Sequence, residues 1–270
     1  MSIDNFRYPA DEFVRDDVRT TQYVATYDHV SVLSPKEPHW EGWLMIVPNQ
    51  VIEKIEDLSE EVWREVCQVI RALHAVYAEH DATYEGFMFF GNRGSGAGQH
   101  VPHAHFHVVP RFSKRAGNPF KKPDHALRVD ALASHVHTYR SLLPRDLGGV
   151  DEQHLDLAVQ CCEHAECVST HSKLSVWRCP SNTAVYEIRT PLPAQDFLLE
   201  TSPALLNGTQ PCLREIVELF EATGTHKGYT LTTEVCTNRM QSFPIRVVGR
   251  FSNEESSPLR TLSTFFATPY

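Results

Sequence analysis

The sequence predicts an α+β fold built from two similar halves, and three observations predict it. Strand-like runs alternate with helical ones along the chain. The runs FHVVPRF (residues 106–112) and IRVVGRF (245–251) match at five of seven positions, counting Ile245 as a hydrophobe for Phe106. Each ends a similar distance after a Gly-aromatic strand start, 26 residues from Gly86 and 23 from Gly228. Shared element order, similar spacing and a near-identical ending point to internal duplication.

The elements justify this in order. Residues 19–32 alternate and are rich in Thr, Tyr and Val, which reads as one or two strands. Residues 43–47 are an apolar run closed by Pro48, a buried strand. Ser59 caps a helix reaching about residue 79, with Val62, Val66, Val69, Ile70, Leu73 and Tyr77 on one face. Residues 86–90 are a strand. Residues 91–98 hold four glycines and read as a loop, and residues 103–109 alternate again as a strand. The basic stretch 113–123, with Lys114, Arg115, Lys121 and Lys122, is a loop that either guides phosphates or is solvated. Residues 124–143 and 151–168 read as helices. The run PRDLGG over 144–149 marks a boundary between domains 1–148 and 149–270. In the second half, residues 177–188 are strand-like and 196–199 are matched to 43–47. Residues 212–222 are a shorter helix, and strands start at Gly228 and Ile245.

The 270 residues are 41% hydrophobic and 22% charged, ordinary globular material. The net charge of −9 argues against a nucleic-acid partner, since phosphate contacts demand a basic surface. The N-terminus lacks the basic start and apolar stretch of a signal peptide, and no run is long enough to span a bilayer. With seven unevenly placed cysteines, the expectation is a cytoplasmic chain with reduced thiols and no membrane partner.

The chemistry concentrates in His103, His105 and His107. On a strand, alternate residues share a face, so the three imidazoles point one way and Ala104, Phe106 and Val108 point into the core. The outer two Cα atoms would lie ~13 Å apart, too far for three rings in a row to surround one zinc. No metal is therefore expected here.

The segment NRGSGAGQHVPHAHFHVVPR (residues 92–111) resembles the signature of the histidine-triad (HIT) nucleotide hydrolases and transferases, notably the Hint and Fhit branches. The run GWLMIVP over 42–48 is similar to that family's Gly-His-x-Leu-Val-x-Pro strand, and the resemblance covers roughly residues 19–115. It implies that His105 is the nucleophile, attacking an α-phosphorus to give a covalent nucleotidyl-histidine. His103 and His107 would orient it and stabilise phosphoryl oxygens. Asn92 and Gln99 would donate to the phosphate, and Gly94, Gly96 and Gly98 would let backbone approach the substrate. His100 stands where a hydroxyl is common and could act as a general acid. Trp43, replacing the family's strand histidine, is counted with the substrate-binding residues.

The sequence departs from the family pattern in other places too. No acid is evident near residues 32–34, where members often hold the ribose. Pro102 before the first histidine is similar to the galactose-1-phosphate uridylyltransferase and dinucleotide phosphorylase branches. In the second half, Ser242, Pro244 and Arg246 fall on the triad positions, so no nucleophile remains. Arg246 and Arg250 there are read mainly as solvated. The cluster Cys161, Cys162, His164, Cys167 and His171 lies in a helical pattern and leaves metal binding open.

The resemblance completes the fold as two HIT-like halves, each an antiparallel sheet plus helix, joined as an intramolecular pseudo-dimer. It implies hydrolysis of a nucleotidyl phosphoanhydride or phosphoramidate. Nucleotidyl transfer or phosphorolysis is the alternative of the same mechanism, and a non-catalytic nucleotide-binding module is the alternative of another class. The partner is a small nucleotide. No cofactor is expected beyond magnesium carried on substrate phosphates.

Overall fold

The structure, a computed structural model, describes residues 8–38, 40–114, 129–148, 158–159, 164–171, 174–179, 184–189, 203–236, 241–242 and 245–251. Its elements in the first part of the chain are α1 (Asp16–Gln22), β1 (Tyr23–Thr26), β2 (Val30–Leu33), β3 (Leu44–Pro48), α2 (Glu60–His80), β4 (Tyr84–Arg93), β5 (Phe106–Phe112) and α3 (Val129–Leu142). They are followed by β6 (Ala158–Val159), β7 (Glu166–His171), β8 (Leu174–Arg178), β9 (Val185–Arg189), α4 (Pro203–Glu221), β10 (His226–Cys236), β11 (Gln241–Ser242) and β12 (Ile245–Phe251).

One sheet runs β1-β2-β3-β5-β4-β10-β12-β9-β8-β7, with antiparallel neighbours throughout. The central seam pairs β4 with β10, from Arg93 opposite Tyr229 to Gly86 opposite Cys236, with Phe90 opposite Thr232 midway. Registers on the two sides of this seam correspond. On one side Tyr84 meets Phe112, a bulge follows, and Gly86 meets Arg111. On the other His226 meets Phe251, a bulge follows, and Gly228 meets Arg250. Both bulge glycines have positive φ, 136° at Gly86 and 145° at Gly228. A Cβ on Gly228 would stand 2.1 Å from the Arg93 carbonyl oxygen, so the close approach across the seam requires glycine as well.

Helices α2 and α4 cover one face of the sheet. The expected α2 stripe, Val62, Val66, Val69, Ile70, Leu73 and Tyr77, is buried there against Phe87, Phe89, Phe106 and Val108, with Tyr229 and Leu231 continuing the same core. Ser59 caps α2, its Oγ accepting from the Val62 N–H at 3.4 Å. The opposite face carries Trp43, Met88, Phe90 and Val109, and the histidines lie on that side.

Several sequence expectations need correction. Residues 16–22 are helical although 19–32 read as strand. Asp16 and Asp17 sit at the positive helix end, and Thr20 and Thr21 donate their hydroxyls to the carbonyls of those two residues, which accommodates β-branched threonine in a helix. The helix expected over 151–168 is contradicted by β6 and β7, because Glu166–His171 pairs with β8 as an edge strand. The single strand-like stretch 177–188 is two antiparallel strands, β8 and β9. The run 196–199 lies outside the described residues, and in the strand order β9 holds the place matching β3. Helix α4 continues through Pro211 and has 19 residues, so it is close in length to α2 with 21. The glycine run 91–98 is part strand, since β4 reaches Arg93.

Candidate active site

His105 and His107 sit where β5 leaves the sheet. Strand pairing starts only at Phe106, opposite Ile46 and Gly91, so His103 and His105 precede the strand instead of lying on it. Pro48 ends β3 at that point, and its carbonyl is used by a side chain: His103 Nε2–H donates to it at 2.9 Å. The expected alternation still holds through the unpaired residues. Ala104, Phe106 and Val108 enter the main core, while the imidazoles gather opposite. Phe13 packs 5.0 Å from the His105 ring and 5.7 Å from His103. His105 meets His107 edge-on at 5.2 Å.

The hydrogen bonds assign the tautomers. His105 Nδ1 is 2.8 Å from the His103 carbonyl oxygen, which can only accept. The hydrogen of His105 is therefore on Nδ1, and Nε2 presents its lone pair. His103 donates from Nε2, and its Nδ1 is buried with no hydrogen-bond partner among the described residues. His107 Nδ1 accepts from the Trp43 indole N–H at 3.0 Å. Burial pushes His105 down to about 4, lowers His103 and holds His107 well below the usual imidazole range. Burial disfavours the charged form of all three rings.

The other sequence candidates fall into two groups. Asn92 lies on the same β4 face as Phe90, and its Oδ1 accepts from Thr230 Oγ1 at 2.9 Å, both side chains buried. With its oxygen engaged, the amide has its N–H groups left for a ligand. Trp43 is 8% exposed and directs its indole nitrogen at His107. Gln99, expected to donate to phosphate, holds the glycine loop: Oε1 accepts from Gly94 N at 2.8 Å and Nε2 donates one hydrogen to the Glu53 carbonyl at 3.2 Å. The glycines also serve packing. A Cβ at Gly94 or Gly96 would meet the Lys227 carbonyl oxygen at 2.6 or 2.9 Å, and Gly98 has φ 84°. His100 is exposed, its carbonyl accepting from Tyr8 N. Ser34, in the segment without an acid, is buried and bonded to His135 Nδ1 at 2.9 Å.

Arg246 opposes Thr232 in β10 as His107 opposes Phe90 in β4. Neither Arg246 nor Arg250 is simply solvated. Arg246 pairs with the fully buried Glu187 at 3.0 Å, which Arg189 also reaches at 2.6 Å, and Arg250 is 4% exposed. Ser242 is in β11, while Pro244, Cys161 and Cys162 lie outside the described residues, as do Arg115, Lys121 and Lys122. His171 Nε2 bonds Glu215 at 2.6 Å. Among the described residues no group of three or more His, Cys, Asp or Glu is placed to hold a metal, and no helix is long and apolar enough to cross a membrane. Sequence reasoning missed Phe13, the Pro48 carbonyl and Thr230, which reach the site from distant segments and carry no local motif.

The HIT domain family model matches residues 17–114. These residues are a HIT domain. A HIT-like protein of Methanocaldococcus jannaschii is 28% identical over 86 residues, 32% of this chain and 64% of that one. The bis(5'-adenosyl)-triphosphatase of Dictyostelium discoideum is 26% identical over 94 residues, 35% of this chain and 62% of the other. The chain spans 58–65% of the length of such curated HIT-like relatives. Beyond the HIT domain, a GalT-like protein from Arabidopsis thaliana superposes with a TM-score of 0.51 at 11% identity, covering 87% of this chain and 79% of its own. At that identity the likeness is one of fold, and it extends over both sides of the sheet.

Proposed function

We propose that this chain is a nucleotidyl hydrolase for phosphoanhydride or phosphoramidate substrates, working through a covalent intermediate on His105. The observation that carries the reading is the His105 Nδ1–H bond to the His103 carbonyl, which leaves Nε2 as an uncharged, fixed lone pair. In the first step Nε2 forms a bond to the α-phosphorus and the bond from phosphorus to the leaving group breaks. The ring becomes positively charged, and the His103 carbonyl accepts from its Nδ1–H more strongly than before. In the second step water attacks phosphorus, the P–N bond breaks, and the water proton is released. Asn92 and His107 supply donors for the phosphoryl oxygens. Acceptor chemistry other than water is the second reading, favoured by the fold likeness to the GalT-like protein across both sides of the sheet.

The corresponding registers about the β4–β10 seam support the reading of the two halves as a pseudo-dimer in one chain, divided near residues 148–149. The second half then stands where a partner subunit would, with Arg246 and Glu187 in place of a nucleophilic site. The test is mass spectrometry of the full chain after brief incubation with a panel of dinucleoside polyphosphates, nucleoside phosphoramidates and nucleotide sugars. A nucleotidyl adduct on His105, absent in His105→Asn, is expected. Turnover of a panel member by His105→Asn at near-normal rate refutes the mechanism.

A further inference from the structure

The third histidine has a partner that can only give a hydrogen. Trp43, just before β3, aims its indole N–H at His107 Nδ1 across 3.0 Å, with the two rings 5.7 Å apart and inclined at 80°. An indole nitrogen has no lone pair to offer. Nδ1 must therefore be the acceptor, and the single hydrogen of the neutral ring lies on Nε2. Phe90 stacks on the same imidazole at 4.6 Å and 20°, which holds the ring plane. Among the described residues, the rings that face His107 are thus Trp43 from the segment before β3, Phe90 from β4 and His105 from its own segment. Of these only His105 titrates, and a charge on it would disfavour one on His107.

We propose that Trp43 is a positioning residue that fixes His107 as a neutral donor, with its Nε2–H presented to the phosphoryl oxygens of the substrate. This rests on the reading of His105 as nucleophile and gives His107 one role within it. A histidine at position 43 could accept as well as donate, and His107 could then hold its hydrogen on either nitrogen. A tryptophan removes that choice. Protonating His107 on Nδ1 requires breaking the indole bond inside a buried ring cluster, so the ring stays neutral as the pH falls. Trp43 thereby acts through His107 and is not a base-stacking surface: it is 8% exposed, and its polar atom is already used.

The experiment is 15N NMR of the imidazole nitrogens in the uniformly labelled full chain, with His107 assigned by its loss in His107→Gln. The wild type is expected to show an unprotonated Nδ1 and a protonated Nε2, unchanged between pH 7.5 and 6. Trp43→Phe is expected to give mixed tautomers or protonation within that range. With any nucleotide that the chain turns over, Trp43→Phe should lower kcat about tenfold, change KM less than about threefold and move the acid limb upward. Trp43→His, which restores a donor, should recover part of kcat. A wild-type His107 protonated on Nδ1 overturns the proposal, and this measurement decides even if Trp43→Phe does not fold. So does a Trp43→Phe variant with wild-type tautomer and a raised KM alone, which would make Trp43 a substrate contact. The tautomer is read without turnover, so a correct tautomer with no adduct on His105 sinks the nucleophile assignment and leaves the positioning bond standing.

Discussion

Burying neutral imidazoles should make this protein sensitive to mild acid, and the size of the effect follows from the site. His105 and His74 are 7% and 4% exposed, and burial pushes both down to about 4. In the unfolded chain each titrates near the ordinary 6.5. Between these values the unfolded state binds protons that the folded state refuses, so stability falls as pH falls. The full contribution is present above about pH 6.5 and is lost on the way to pH 4. At pH 5 each ring costs about 2 kcal/mol relative to pH 7.5, and by pH 4 about 3. His107, also held down by burial, adds in the same direction. A loss of about 4 kcal/mol or more at pH 5 is a large share of a typical domain's stability. The assay is urea unfolding of the wild type and His105→Asn at pH 7.5, 6 and 5. The variant lacks one titrating ring and should lose about 2 kcal/mol less than the wild type over that interval. Equal stability of the wild type at pH 7.5 and 5, or a variant as acid-sensitive as the wild type, refutes the reasoning.

Three further outcomes are expected. Thr230→Val strands the buried Asn92 Oδ1 without its donor, which should cost about 1–3 kcal/mol in stability and lower kcat through a misaligned amide, with Thr230→Ser close to wild type; unfolding curves and kinetics check both. Exhaustive chelation should leave formation of the His105 adduct intact, apart from any magnesium bound to substrate phosphates, and mass spectrometry reads this directly. The fragment 1–148 exposes the β4 edge that otherwise pairs with β10, so it should aggregate or self-pair and lose most activity. A monomeric, fully active fragment would show the halves to be independent, and light scattering beside an activity assay tells them apart.

Much of the first half was legible in the sequence because its signals are local. The α2 stripe repeats at helical spacing and Ser59 is a capping residue, so the helix is where the pattern places it. The alternation that sends Ala104, Phe106 and Val108 into the core also gathers the three histidines opposite, and a period of two survives even where the strand pairing has ended. Local pattern misled where tertiary partners overrode it. Thr20 and Thr21 have strand propensity but satisfy their hydroxyls inside a helix. The run Glu166–His171, read in part as the end of a helix, becomes an edge strand because β8 is there to pair with it.

The sequence by itself determined which side chains could do chemistry: three histidines on alternate positions, a glycine-rich approach and an apolar strand closed by proline. It also carried the likeness between the runs at 106–112 and 245–251, because matching residues at matching spacing need no coordinates to be seen. Tertiary structure decided what each group is able to do. The protonated nitrogen of His105 is set by the His103 carbonyl, that of His107 by Trp43, and the amide of Asn92 by Thr230, 138 residues away. Hydrogen bonding depends on orientation within a few tenths of an ångström, and sequence spacing does not encode orientation across a sheet. The same limit applies to the glycines, whose need for a missing Cβ comes from Lys227 and from the Arg93 carbonyl, met only once β4 and β10 lie side by side.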